Sequence, residues 1–191
     1  MYPGGARATL APAEIAEPLE GRARPGHFAG VVTVVARLFD VVRPDAAYFG
    51  QKDFQQLRVI QVTLGPRYPG LRIIGCPTVR EPDGLAMSSR NAYLTREQRR
   101  DALALSGGLF AARDAWERGE RHPVRLANAV RRHVDRPDTS VRLEYVSAAD
   151  PFTLAELRAP ADRIVLSLAA RVGKARLIDN VLLGMDVSAL S

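Results

Sequence analysis

The sequence predicts an α/β fold: a parallel-sheet piece over residues 1–78, followed by a smaller α+β domain over 79–191. Three observations carry this. Before residue 77, apolar residues alternate between helical spacing and short continuous runs, in the order helix, strand, helix, strand. After Pro77 a polar stretch containing Gly and Ser breaks that rhythm. Three β-rich runs then follow one another near the end of the chain. At 47% hydrophobic and 25% charged residues the composition excludes wholesale disorder, and 191 residues suffice for one domain or two small ones.

Residues 1–26 are rich in Pro, Gly, Ala and charge, with Pro3, Pro12, Pro18 and Pro25 breaking any long element; they read as connecting loop with one short helix. Over 30–42, Val31, Val34, Val35, Leu38, Val41 and Val42 fall at helical spacing until Pro44 stops the run. Residues 46–50 form a short buried strand. Asp53 is placed to cap a helix running to about residue 64, ended by Gly65-Pro66. Residues 71–75 are a second strand, closed by Pro77. Further on, Thr95-Arg96-Glu97-Gln98 is a capping-box signature. Its helix extends to about residue 118, loosened at Gly107-Gly108, and another helix covers 124–134. Strands are expected over 141–147, 164–170 and 176–182, the first alternating apolar and polar only in part. There is no internal repeat and no low-complexity segment.

Net charge is +6, but all basic residues except Lys52 and Lys174 are arginine, and they are scattered. That pattern reads as a solvated basic surface and arginine bias more than as a nucleic-acid-binding patch. In such a chain, Lys52 marks a place where a compact ammonium is wanted. No apolar run reaches the roughly 20 residues of a membrane span. The first residues lack the apolar core of a signal peptide, and the single Cys76 permits no internal disulfide and no Cys-rich metal site; a cytoplasmic setting is expected.

Three segments could hold chemistry. Phe49-Gly50-Gln51-Lys52-Asp53 lies on a strand-to-helix turn, where α/β sheets collect ligands and free N–H groups favour phosphate. Taken alone, it reads more simply as a glycine turn with Asp53 as N-cap and Lys52 in solvent. Met87-Ser88-Ser89-Arg90, after Asp83-Gly84, could wrap a polyphosphate with two hydroxyls, backbone amides and a guanidinium; taken alone, it reads more simply as a surface loop with hydroxyl turns. Arg24-Pro25-Gly26-His27-Phe28 places a His before a helix, where a structural role is commoner. Gln55-Gln56 fits plain helix surface.

Together these segments closely resemble the pantothenate synthetases, the pantoate–β-alanine ligases. The shared motifs are Arg24-Pro25-Gly26-His27-Phe28, Phe49-Gly50-Gln51-Lys52-Asp53-Phe54-Gln55-Gln56-Leu57, Gly84-Leu85-Ala86-Met87-Ser88-Ser89-Arg90-Asn91 and Ala175-Arg176-Leu177-Ile178-Asp179-Asn180, in the family's order and near its spacing. The resemblance implies a Rossmann-like nucleotidyltransferase domain, of which residues 1–78 are the end, with a C-terminal lid domain over 79–191. It implies condensation of pantoate with β-alanine using ATP and Mg²⁺, through pantoyl adenylate, with release of AMP and pyrophosphate. It implies that Gly50, Gln51, Lys52 and Asp53 line the ATP site, with Lys52 beside the phosphates. Gln56 would hydrogen-bond pantoate and Val79 would contact the adenine region. Met87, Ser88, Ser89 and Arg90 would form the phosphate-gripping loop, so that Lys52, Ser88, Ser89 and Arg90 carry the catalysis. No residue is assigned as a metal ligand. Gln51 stands where many members carry Glu, which a backbone contact tolerates. A homodimer is implied for the intact enzyme.

The family's His-x-Gly-His motif has no match in this sequence, and Met1-Tyr2-Pro3 looks like an internal Met-Tyr-Pro of the family. The chain therefore looks like the C-terminal part of such an enzyme, with little ligase activity expected from these 191 residues alone. A sheet without its first strands would expose an edge and make the fold marginal. The alternative reading is a non-catalytic nucleotide-binding or dimerising fragment.

Overall fold

A computed structural model describes residues 8–190. Residues 8–26 hold one 3₁₀ turn, Glu14–Ala16, and a one-turn helix α1 (Glu20–Ala23). Helix α2 (His27–Val42) starts three residues earlier than the apolar spacing suggests, because Gly26 takes a left-handed conformation (φ 78°) that ends the preceding turn. Phe28, Val32, Ala36 and Phe39 form its buried stripe, and Arg43 (φ 50°) followed by Pro44 ends it. Val34, Leu38, Val41 and Val42 are exposed.

Strand β1 (Ala46–Gly50) leads through a 3₁₀ turn, Gln51–Asp53, into α3 (Phe54–Leu64) and on to β2 (Arg72–Cys76). The two strands pair in parallel from Ala46↔Arg72 to Gly50↔Cys76, as the expected βαβ rhythm requires. But β1 is not the buried strand expected: none of its residues is buried and Tyr48 and Gly50 are exposed, because among the described residues only β2 pairs with it. Asp53 occupies the N-cap position of α3, but its side chain makes no cap hydrogen bond. Its backbone (φ −97°, ψ 57°) lies outside the extended region a cap needs, because the 3₁₀ turn has already begun to wind the chain.

Helix α4 (Arg96–Glu117) opens on the expected capping box, with Thr95 and Gln98 each bonding the other's backbone N–H. It runs unbroken through Gly107 and Gly108, contrary to the loosening expected there. The glycines let α5 (Pro123–Val134) approach: a Cβ on Gly108 would sit 3.1 Å from Val134 Cγ2 and 3.2 Å from the Val130 carbonyl oxygen. Three antiparallel strands follow in the order β3 (Val141–Ala149), β4 (Ile164–Val172) and β5 (Ala175–Leu183). Each outlasts its expected range. Between β4 and β5 a two-residue turn, with Gly173 at φ 56°, lets pairing run up to Val172↔Ala175. A bulge at Glu144 interrupts β3, between the pairs Leu143↔Ala170 and Tyr145↔Ala169. That bulge is why the alternation in this strand is only partial, and it turns Tyr145 away from the α4–α5 side.

Two cores result. One lies between α4, α5 and a face of the antiparallel sheet, around Leu105, Leu109, Leu126, Ile164 and Leu168. The other joins α2, α3 and the parallel pair to Ala149, Leu154 and Val165, and the last residues, Val187 and Leu190, pack into it. Gly75 of β2 makes room for that return, since a Cβ there would meet Val187 Cγ2 at 2.5 Å and Leu57 Cδ2 at 2.9 Å. No described helix is long and apolar enough to cross a membrane.

Candidate active site

Gly50 ends β1 in extended conformation and is exposed, with nothing within 4 Å of where a Cβ would lie. The Gln51–Asp53 turn after it is held from the antiparallel sheet. Asn180 of β5, 3% exposed, donates from Nδ2 to the carbonyls of Gln51 (2.9 Å) and Lys52 (3.0 Å). Its Oδ1 accepts from Gln51 Nε2 at 3.2 Å. The Lys52 side chain is only 15% exposed and its Nζ lies 3.9 Å from Asp53 Oδ2, so it is not the solvent-facing lysine that a plain glycine turn would carry.

Lys52, Asp53 and Gln56 line one cleft with Arg24, His27 and Asn180. The cleft sits where α3 begins, at the carboxyl end of β1, the position an α/β sheet favours for ligands. Arg24 Nη1 lies 3.0 Å from His27 Nε2. The guanidinium can only donate, so His27 is neutral with its proton on Nδ1. Burial and then the Arg24 charge hold the imidazole below its ordinary titration range.

The two glutamines divide their work. Gln55 is buried, and its amide pins the segment before α1: Nε2 donates to the carbonyls of Ile15 (3.1 Å) and Pro18 (2.7 Å), and Oε1 accepts from the Glu20 N–H (3.0 Å). Gln56, the next residue, is free to line the cleft. Glu20 in turn takes a two-pronged ion pair from Arg176 (2.6 and 2.8 Å) and a hydrogen bond from the Tyr145 hydroxyl (3.0 Å). Burial alone would raise the Glu20 carboxyl. The Arg176 bond and charge and the Tyr145 bond outweigh it and leave the group below the usual carboxylate range.

Residues 79–87 form a tight hairpin-like turn: Met87 N–H bonds the Val79 carbonyl (3.0 Å) and Glu81 N–H bonds the Leu85 carbonyl (2.8 Å), with Gly84 at φ 93°. Arg99 of α4 clasps Glu81 and Asp83, and Asn91 donates to Glu81 Oε1 (2.6 Å) and the Ala86 carbonyl (3.1 Å). On this scaffold Val79, Met87, Ser89 and Arg90 stand exposed. Ser88 caps the short 3₁₀ helix Ser89–Tyr93, its Oγ accepting from Arg90 N–H at 3.3 Å. Arg80 anchors the turn to β5 through a two-pronged pair with Asp179 (2.7 and 3.0 Å).

The structure thus gathers Lys52, Asp53 and Gln56 into one cleft and sets Val79 and Met87–Arg90 on a separate turn, both fastened to β5. Gln51 lines a second concavity beside Arg80 and Asn180. Sequence reasoning missed the fasteners Gln55, Arg80, Asp179 and Asn180; the signals were the place of Gln55 in the second shared motif and the Asp179-Asn180 ending of the fourth. Among the described residues, no group of three or more His, Cys, Asp or Glu side chains could hold a metal ion.

Comparison with known proteins places this arrangement among relatives. A model of the pantoate-beta-alanine ligase family matches residues 1–182. The pantothenate synthetase 1 of Bradyrhizobium diazoefficiens is 51% identical over 98% of this chain and 66% of its own length. That of Thermotoga neapolitana is 47% identical over 96% of this chain and 65% of its own. The chain thus spans just under two thirds of the curated relatives it matches. The crystal structure of pantothenate synthetase from Thermus thermophilus superposes with a TM-score of 0.87 at 40% identity, over 95% of this chain and 65% of that one. The pantoate-beta-alanine ligase of Francisella tularensis, solved with beta-gamma ATP and beta-alanine, gives a TM-score of 0.68 at 33% identity, over 98% of this chain and 62% of that one.

Proposed function

This chain belongs to the pantoate–β-alanine ligase family, and from that premise we propose that it supplies the ATP-gripping part of an enzyme that condenses pantoate with β-alanine. The pantoate carboxylate attacks the α-phosphorus of ATP, giving pantoyl adenylate and pyrophosphate. The β-alanine amine then attacks the acyl carbon and expels AMP. No covalent bond to the protein forms, so catalysis rests on positioning and on neutralising phosphate charge.

The observation that carries this reading is the cleft shared by Lys52 and Gln56 beside the open face of Gly50. Lys52, largely screened from solvent, offers the phosphates an ammonium whose attraction water does little to weaken. Gly50 lets ATP approach the backbone of residues 50–53, and Gln56 offers the pantoate an amide. Val79 packs against the adenine. Met87, Ser88, Ser89 and Arg90 close over the phosphates, the hydroxyls and guanidinium replacing water around their oxygens. Mg²⁺ arrives as part of the substrate, on the ATP phosphates. The Francisella tularensis ligase, solved with beta-gamma ATP and beta-alanine, supports the pairing of these two substrates.

The test is β-alanine-dependent AMP release. The sequence contains no His-x-Gly-His, so the 191-residue polypeptide by itself is expected to release AMP far more slowly than a family member that carries the motif. Equal turnover would contradict that expectation, and release of ADP in place of AMP would contradict the adenylate chemistry. The exposed apolar stripe Val34, Leu38, Val41 and Val42 favours a second reading: a nucleotide-binding part whose α2 face a partner, such as a second copy, covers in the cytoplasm. Light scattering that finds only monomer at high concentration would remove the second-copy version.

A further inference from the structure

Asn180 and its neighbour Asp179 each hold a segment that lies far away in sequence. Asn180 spends its whole amide on the turn after β1: both Nδ2 hydrogens go to the carbonyls of Gln51 and Lys52, and Oδ1 takes the Gln51 side chain. Peptide units are planar and trans. Drawing those two carbonyls toward β5 therefore aims the N–H groups of Lys52 and Asp53 the opposite way, and fixes where the Lys52 side chain leaves the backbone. Asp179, also 3% exposed, does the equivalent for the hairpin-like turn over residues 79–87. Its carboxylate grips Arg80 with two bonds, and Arg80 Nη1 also bonds the Gly84 carbonyl at 3.1 Å. Phe110 supports the guanidinium, its ring centroid 4.9 Å away. The two grips are joined, because the Asn180 N–H donates to Asp179 Oδ1 at 2.7 Å.

Burying a carboxylate, a guanidinium and an amide here contributes less to stability than apolar packing of the same volume commonly does. What they add is a defined distance between two loops. We propose that Asp179 and Asn180 are positioning residues that hold the Lys52 turn and the Arg90 loop at the separation an ATP triphosphate requires, and so touch the ligand only through those two segments. The inference rests on the ATP site argued above. It predicts that β5 acts on ATP affinity through Lys52 and Arg90, so the effects of substituting Asn180 and Lys52 are not additive.

The experiment is a double-mutant cycle on the 191-residue chain, with MgATP titrated and followed by NMR. Asn180→Asp keeps the volume and an acceptor for Gln51 but removes the donor to both carbonyls. It is expected to weaken MgATP about tenfold when Lys52 is present, and less than about twofold in the Lys52→Ala background. Asp179→Asn is expected to show the same pattern against Arg90→Ala. If far-UV circular dichroism shows Asn180→Asp unfolded, Asn180→Ala, which buries no new charge, is read the same way. Equal losses in both backgrounds, or no loss in either, overturn the inference while leaving the ATP site intact. Absence of MgATP binding to the unsubstituted chain, or an unchanged affinity in Lys52→Ala, overturns the ATP reading itself and the inference with it.

Discussion

Gln55 and Gln56 show how far apart two neighbouring, identical side chains can stand. Both fit a helix surface on paper and both border the cleft, yet Gln55 is buried and spends its amide on three backbone groups of the preceding segment, while Gln56 is only half-buried. Gln55→Ala leaves the Pro18 carbonyl and the Glu20 N–H without their partner and is expected to cost about 2 kcal/mol in urea unfolding. Gln56→Ala should leave stability within about 0.5 kcal/mol and act on pantoate binding instead. Glu20 makes a pH prediction. Its carboxyl is held below its ordinary value of 4.5, so its contribution is complete above that value and is lost as pH falls through the lower folded-state value. The melting temperature of the parent chain should therefore fall more steeply than that of Glu20→Gln on going from about pH 5 to about pH 3. Parallel slopes would show that the Arg176 pair contributes nothing to acid stability.

At the level of elements, what could be read from the sequence was whatever depends on local periodicity. The existence of α2 and α5, the Thr95–Gln98 box and the parallel pair follow from spacing within a few residues, but the α2 face the spacing marks is the outer one: Val34, Leu38, Val41 and Val42 are exposed, and Phe28, Val32, Ala36 and Phe39 are buried. What escaped depends on contacts across the chain. Gly107 and Gly108 look like a helix weakness until α5 is seen lying against them; the Glu144 bulge leaves only a partial alternation in its strand, and the Asn180 grip only a motif ending, neither of which names the partner. The two glycines separate cleanly. The atoms nearest a Cβ on Gly107 all belong to the exposed, movable His133 ring, the closest at 2.6 Å (Nε2), so Gly107→Ala is expected to be neutral or to stabilise by up to about 1 kcal/mol through helix propensity. Gly108→Ala pushes on the Val130 backbone and a Val134 methyl and is expected to destabilise by about 1–2 kcal/mol despite the same propensity gain. Thermal melts of the two variants check this, and the same sign for both would contradict the packing account.

Taken whole, the described residues form an antiparallel sheet backed by α4 and α5, whose strand β5 bonds the turn at the end of the parallel pair and the residue 79–87 turn. The family resemblance lies in four motifs, and the structure explains why the fourth accompanies the others: Arg176, Asp179 and Asn180 tie β5 to α1, to the residue 79–87 turn and to the Lys52 turn. Among the described residues β1 pairs only with β2, and Tyr48 and the outer stripe of α2 are exposed. A chain with such an edge is expected to melt below about 60 °C when nothing covers it. The central claim, that these residues form an ATP site, is tested most directly by calorimetric titration of MgATP into the 191-residue chain and its Lys52→Ala variant. Saturable one-to-one binding that weakens at least about tenfold in the variant is the predicted result. No binding, or equal affinity for the two proteins, would contradict it.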